Sequence, residues 1–240
     1  MKIIIANSEA EFGRLAFKEI KDVLESNPAC TLGLATGSTP IPLYNEMAKD
    51  HNENGTSYKN VKTFNLDEYV GLPKEHPESY ISFMTRNLFS RVDIDMKNVN
   101  IPNGLASDIP AECARYSALL EKASVDIQVL GIGGNGHIAF NEPNTPFDSK
   151  THQVFLTQKT ISDNARFFDS IDQVPKSALT MGIGEIMKAK KLLMLATGSN
   201  KADAVYKMVK GPVDPSCPAS VLQKHPDVVV ILDQAAAAKL

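Results

Sequence analysis

The sequence predicts an α/β fold: a mainly parallel sheet flanked by helices, open and Rossmann-like, in one domain over residues 1–240. Three observations carry this. Short apolar, β-prone runs alternate along the chain with segments whose apolar residues recur at helical spacing, the pattern of successive βα units. Two of these units share one turn chemistry, Ala35-Thr36-Gly37-Ser38 and Ala196-Thr197-Gly198-Ser199, each set between an apolar strand and a helix. No linker-like shift in composition divides the chain, and at 43% hydrophobic and 22% charged residues it can fill an ordinary globular core.

Residues 2–6 are the first strand. Ser8 and Glu11 have capping-box spacing, and Phe12, Leu15, Ala16, Ile20, Val23 and Leu24 then repeat on one helical face until Pro28. A second strand over 31–35 runs into Thr36-Gly37-Ser38-Thr39 and a helix opened by Pro40. The third strand, 61–66, places Asp67-Glu68-Tyr69 at its end, followed by a loop over 71–77 and an amphipathic helix over 79–92. A short strand over 99–101 and a helix over 109–122 lead to the fourth strong strand, 126–130. That strand delivers Gly131-Ile132-Gly133-Gly134-Asn135-Gly136-His137, and Phe140-Asn141-Glu142-Pro143 follows. Beyond it the pattern gives a strand over 153–157, a short helix over 161–168 containing Arg166, and a helix near 185–188. A strand over 192–196, a helix carrying Ala204, Val205, Met208 and Val209, and a last strand over 228–232 complete the chain, with 235–240 as a short helix or frayed end.

Composition narrows the function. A net charge of −3 gives no electrostatic basis for binding nucleic acid or an anionic membrane. Cys30, Cys113 and Cys217 are odd in number, far apart and without metal-ligand spacing, which points to a reducing compartment rather than a disulfide framework. The apolar run at the N-terminus is too short for a signal peptide, and no segment approaches the roughly 20 apolar residues of a membrane span. A soluble cytoplasmic protein is expected.

The turns carry the candidate chemistry. Thr36, Gly37, Ser38 and Thr39 offer hydroxyls and backbone N–H groups at a helix N-terminus, which favours phosphate; the turn is not a P-loop, and a plain capped βα turn has the same composition. Lys201 follows the second turn at a helix start, where a cation is electrostatically misplaced unless an anion lies between. Arg166 is a second candidate cation, equally compatible with a surface salt bridge. His137 with Glu142 makes a usable acid–base pair near neutral pH. Asp67, with a reference pKa of about 3.9, becomes a useful base only if burial raises it. Gly131, Gly133 and Gly136 fit the dinucleotide fingerprint G-x-G-x-x-G, but Pro143 stops the long helix that motif opens and no acid stands where the ribose partner belongs.

Three blocks then identify a family: Phe64-Asn65-Leu66-Asp67-Glu68-Tyr69, the run from Gly71 through Pro77-Glu78-Ser79-Tyr80, and Gly136-His137-Ile138-Ala139-Phe140-Asn141-Glu142-Pro143. Together they resemble the glucosamine-6-phosphate deaminases, and the resemblance extends over essentially the whole chain. It implies conversion of glucosamine 6-phosphate and water to fructose 6-phosphate and ammonia in N-acetylglucosamine catabolism, without cofactor or metal. By the same resemblance Asp67 moves the proton between C2 and C1, and His137, assisted by Glu142, opens the sugar ring. Thr36, Gly37, Ser38, Thr39 and Gly136 line the substrate, Arg166 and Lys201 are the phosphate cations, and residues 160–182 form a lid. Asn135 stands where the family often has aspartate, and is expected to orient His137 without adding charge. Arginine and lysine of the allosteric members correspond to His152 and Val154, so no effector and a monomer are expected. A 6-phosphogluconolactonase of similar fold and a non-catalytic sugar-phosphate sensor are the rival readings.

Overall fold

Strands covered on both faces read as continuous apolar runs, and Leu192–Ala196 and Val228–Asp233 are of that kind, with every residue buried except the terminal Asp233. They lie inside a sheet of seven parallel strands. The structure, a computed structural model, describes residues 1–158, 161, 162, 165 and 168–240. In chain order the described elements are β1 (Lys2–Ala6), α1 (Glu9–Ser26), β2 (Thr31–Leu34), α2 (Ile41–Asn54), β3 (Lys62–Asn65), β4 (Asp67–Tyr69), α3 (Tyr80–Asn87), β5 (Val99–Asn100) and α4 (Ile109–Ala123). Then come β6 (Ile127–Gly131), β7 (His152–Phe155), β8 (Ser177–Thr180), α5 (Ile183–Ile186), β9 (Leu192–Ala196), α6 (Ala202–Lys210) and β10 (Val228–Asp233). The large sheet has the order β1-β10-β9-β6-β2-β3-β5. The α/β expectation is met.

Local sequence explains the helix starts. Ser8 caps α1 by accepting the Glu11 N–H at 3.2 Å, while the Glu11 carboxylate reaches back to the Asn7 N–H at 2.7 Å, one residue before the cap. Asp108 caps α4 through the Ala111 N–H at 2.9 Å, and Ser79 caps α3 through the Ser82 N–H at 3.2 Å. Helix α3 is shorter than expected, ending at Asn87 and passing through Leu88 into a 3-10 turn over Phe89–Arg91.

A second sheet was not legible in the sequence. β4, β8 and β7 form an antiparallel three-stranded unit, with Asp67 opposite Thr180 and Thr180 opposite His152. Residues Asp67-Glu68-Tyr69, read as the end of the third strand, leave the large sheet and start this one. Acidic residues are poor strand formers, so only long-range pairing makes β4. Residues 177–180, within the expected lid, are the buried strand β8. The helix expected over 161–168, with Arg166, lies in large part outside the described residues. A seven-residue 3-10 helix, Pro218–Lys224, lies between α6 and β10.

The turn after β2 is anchored from α2. The fully buried Tyr44 hydroxyl donates to the Ala35 carbonyl at 2.5 Å and accepts the Ala35 N–H at 3.2 Å, satisfying both backbone groups just before Thr36. Tyr44→Phe leaves two buried backbone groups unpaired, so chemical denaturation should show a loss of about 1–3 kcal/mol. A loss under about 0.3 kcal/mol would mean that other partners satisfy Ala35.

Candidate functional site

In an open parallel sheet, ligands bind beyond the strand C-termini where the strand order reverses. Here the chain winds outward from β2 to β3 and β5, then returns to β6 and winds the other way to β9 and β10, so β2 and β6 are the switch point. A cavity of about 450 Å³ opens there. Its wall comes from the turns after β2 (Thr36, Gly37, Ser38, Thr39) and β6 (Gly131, Gly133, His137), from Asp67 beyond β3, and from Lys201 beyond β9.

The two similar turns are similar in backbone as well. Gly37 and Gly198 both have positive φ, 94° and 93°. Each is closed by a backbone hydrogen bond, one position apart in the two: the Ile41 N–H donates to the Ser38 carbonyl at 3.2 Å and the Lys201 N–H to the Gly198 carbonyl at 3.0 Å. Lys201 is the cap residue of α6 and faces the cavity, so the lysine that looked misplaced in sequence adds its charge to an anion-favouring end.

The glycine loop mounts a histidine. A Cβ on Gly133 would stand 2.3–2.5 Å from the His137 ring atoms, so the imidazole lies flat against bare backbone. Gly136 has φ 88°, and a Cβ there would meet Cys217 Sγ at 2.6 Å. Gly136 therefore packs away from the cavity, behind the loop. Ala139, on the cavity wall, carries φ 52°, a strained conformation for a residue with a Cβ. Asn141 holds it there by donating to the Ile138 carbonyl at 3.0 Å and the Met181 carbonyl at 2.8 Å.

The acid–base groups differ in detail from expectation. Asn135 does not reach the imidazole: its amide donates to Glu142 Oε2 at 2.7 Å and its oxygen accepts the His137 backbone N–H at 3.2 Å. It orients Glu142, whose Oε1 stands 3.6 Å from His137 Nδ1. Burial, opposed by Glu142 and reinforced by Lys201, pulls the His137 pKa below its usual value and favours neutral imidazole. Asp67, 6% exposed, is pushed up to about 8, first by burial and then by the neighbouring Glu68. Glu68 itself is occupied: it accepts the N–H groups of Tyr69 at 2.9 Å, Tyr80 at 3.0 Å and Ile81 at 3.1 Å, the last two in the first turn of α3.

Sequence reasoning missed the aromatic wall. Tyr69, Tyr80 and Phe140 line the cavity, with Tyr69 and Tyr80 ring centroids 4.7 Å apart and Tyr80 stacked on Phe140 at 6.3 Å. It also missed Glu78 and Phe83. Tyr80 and Glu78 fall in the very block that carried the family resemblance, but nothing in their spacing says which side chain turns inward. Asn135 and Glu142 stand behind His137 rather than on the wall, and Arg166 is outside the described residues. No group of three or more His, Cys, Asp or Glu residues is arranged to hold a metal among the described residues, and no helix there is long and apolar enough to cross a membrane.

Fold and cavity define an α/β protein with an anion-favouring, acid–base-equipped site at the switch point of a parallel sheet. The family described as glucosamine-6-phosphate isomerases/6-phosphogluconolactonase matches residues 7–231. A glucosamine-6-phosphate deaminase of Lactobacillus delbrueckii subsp. bulgaricus is 52% identical over 240 residues, covering 100% of both chains. One from Thermoanaerobacter pseudethanolicus is 48% identical over 238 residues, covering 99% of this chain and 94% of the relative. Among solved structures, a monomeric glucosamine-6-phosphate deaminase superposes with a TM-score of 0.97 at 44% identity over 100% of both chains. A 6-phosphogluconolactonase from Trypanosoma brucei shares the fold at TM-score 0.81 and 19% identity, covering 100% of this chain and 98% of the other. The chain belongs to the glucosamine-6-phosphate isomerase/6-phosphogluconolactonase family.

The Asp67 titration has a sign that can be checked. The native state holds this proton to about pH 8, whereas an unfolded aspartate releases it near 4. Between those values the native state binds more protons than the unfolded state, so stability falls as pH rises through the window. Asp67→Asn removes the titration, and its melting temperature should exceed that of the wild type at pH 8, with the gap closing towards pH 4. The gap should grow by on the order of 1.4 kcal/mol per unit across the window; a gap that does not change with pH would contradict a buried, neutral Asp67.

Proposed function

We propose that the protein is a glucosamine-6-phosphate deaminase, converting glucosamine 6-phosphate and water to fructose 6-phosphate and ammonia in amino-sugar catabolism. The observation that carries the reading is Asp67: a buried carboxyl of raised basicity in the cavity, alongside His137 and two anion-favouring turns. A lactonase has no carbon acid to deprotonate and no need of that base.

The chemistry follows from the geometry. The phosphate lies against Thr36, Gly37, Ser38 and Thr39, with Lys201, and by family resemblance Arg166, as cations. Neutral His137 takes the proton of the anomeric hydroxyl and delivers it to the ring oxygen, opening the sugar; Glu142, oriented by Asn135, stabilises the transient imidazolium. The substrate ammonium lowers the Asp67 pKa again, so the carboxylate ionises on binding. It then takes the proton from C2 and returns it to C1 while one ammonium proton passes to O1, giving a protonated ketose imine that water hydrolyses to the ketone and ammonia. No step calls for a cofactor. By family resemblance the chain from residue 160 up to β8 serves as the lid; Phe168 stacks on His76 at 5.5 Å and meets Tyr69 at 6.3 Å. We read the enzyme as a cytoplasmic monomer without an effector. Its three cysteines are buried and unpaired, its solved relative is monomeric, and His152 and Val154 supply no pair of strong cations on β7.

Incubation with glucosamine 6-phosphate should release equal amounts of ammonia and fructose 6-phosphate; absence of both at millimolar substrate removes the reading. Asp67→Asn should still bind the phosphosugar while losing turnover and solvent exchange at C2 by roughly 10²–10⁴-fold, and retained exchange would move the base elsewhere. For Lys201→Ala, KM should rise far more than kcat falls, as for uniform binding. An unchanged KM would take Lys201 out of the phosphate site.

A further inference from the structure

The cavity is charged unequally along its length. β9, which delivers Lys201, and β3, beyond which Asp67 lies, are separated in the sheet by β6 and β2. Lys201 thus enters from one side of the cavity and the Asp67 carboxyl from the other, with the turn after β2 between them. On the described wall the carboxyl groups are Asp67 and Glu78.

The two are not equivalent. Asp67 is buried and holds its proton when nothing cationic is near, and its proton-transfer role needs it at C2. Glu68 is committed to three backbone N–H groups. Glu78 is half-buried, faces the cavity, and has no hydrogen-bond or ion-pair partner for its carboxylate among the described residues. Its position is fixed all the same. Its N–H donates to His76 Nδ1 at 3.1 Å, the Pro77 carbonyl accepts from Arg86 at 2.6 Å, and the buried Ser79 hydroxyl donates to the Lys74 carbonyl at 2.6 Å. A turn fixed in this way presents to the cavity a carboxylate with no such partner among the described residues.

We propose that Glu78 is a specificity-determining residue, the anionic group that receives the 2-ammonium of an amino-sugar phosphate. This rests on the deaminase reading for the identity of the sugar. Glu78 and the turns after β2 and β9 grip the two charged ends of one zwitterion, leaving Asp67 for the carbon between. The same contact discriminates against a neutral sugar phosphate, for which Glu78 would be desolvated without compensation.

Two open-chain, non-reacting ligands separate the contributions: 2-amino-2-deoxyglucitol 6-phosphate, which carries the cation, and glucitol 6-phosphate, which does not. Calorimetry on the full chain should show the wild type favouring the amine. Glu78→Gln should lose that preference by about tenfold to a hundredfold, through weaker binding of the amine and binding of glucitol 6-phosphate at least as tight as in the wild type. Glu78→Asp should keep part of it. An unchanged preference in Glu78→Gln, equal loss of both ligands, or no preference in the wild type overturns the assignment. Ammonia release by the wild type is read separately: no turnover with the amine preference intact removes the deaminase and leaves Glu78 as the cation site.

Discussion

The site depends on a single departure of the chain from one sheet into another. Leu66 is the hinge: its N–H donates to the Leu34 carbonyl in the line of the parallel sheet, at 3.2 Å, and its carbonyl accepts the Met181 N–H from beyond β8, at 2.6 Å. The next residue is Asp67, which begins β4. A carboxyl at an ordinary strand end would face solvent and keep an ordinary pKa. At this junction it is buried instead, and desolvation raises its pKa.

Burial of that kind is destabilising, and the surrounding construction contains it. Glu68 sits beside Asp67 and worsens its environment, yet it also receives the N-terminal N–H groups of α3. The acid that raises Asp67 is therefore the same one that fixes the start of the helix presenting Tyr80, two residues after Glu78. Basicity at β4 and placement of the α3 wall are linked through one carboxylate, so neither is free to vary alone.

How much of this was legible in the sequence follows from the range of the interactions. His137, Lys201 and the Gly37 and Gly198 turns were visible because strand, turn and helix start are consecutive, and local chemistry fixes what the turn presents. The α/β class was visible for the same reason, since hydrophobic period is a local signal. The antiparallel sheet was not, because β4 is three residues rich in acid and exists only through pairing with β8, more than a hundred residues away. Asn135 shows the intermediate case. The family resemblance suggested that it orients the His137 ring, whereas its amide donates to Glu142 instead.

The family spans two chemistries on one scaffold, and fold alone does not choose between them. Phosphate-gripping turns at a switch point suit any sugar phosphate, so they carry no preference for amine over lactone. The distinguishing features must be groups that only one reaction requires. Proton transfer between two carbons requires a base that is both basic and shielded, which the Leu66 junction supplies at Asp67. Expulsion of ammonia requires that the amine arrive charged and correctly placed, which is the work assigned to Glu78. Both groups lie within the span from β4 to the start of α3, and neither belongs to the phosphate turns. With the roles proposed for Asp67 and Glu78, substrate class is written in the chain that leaves the parallel sheet, while the turns of the sheet supply the proposed phosphate grip.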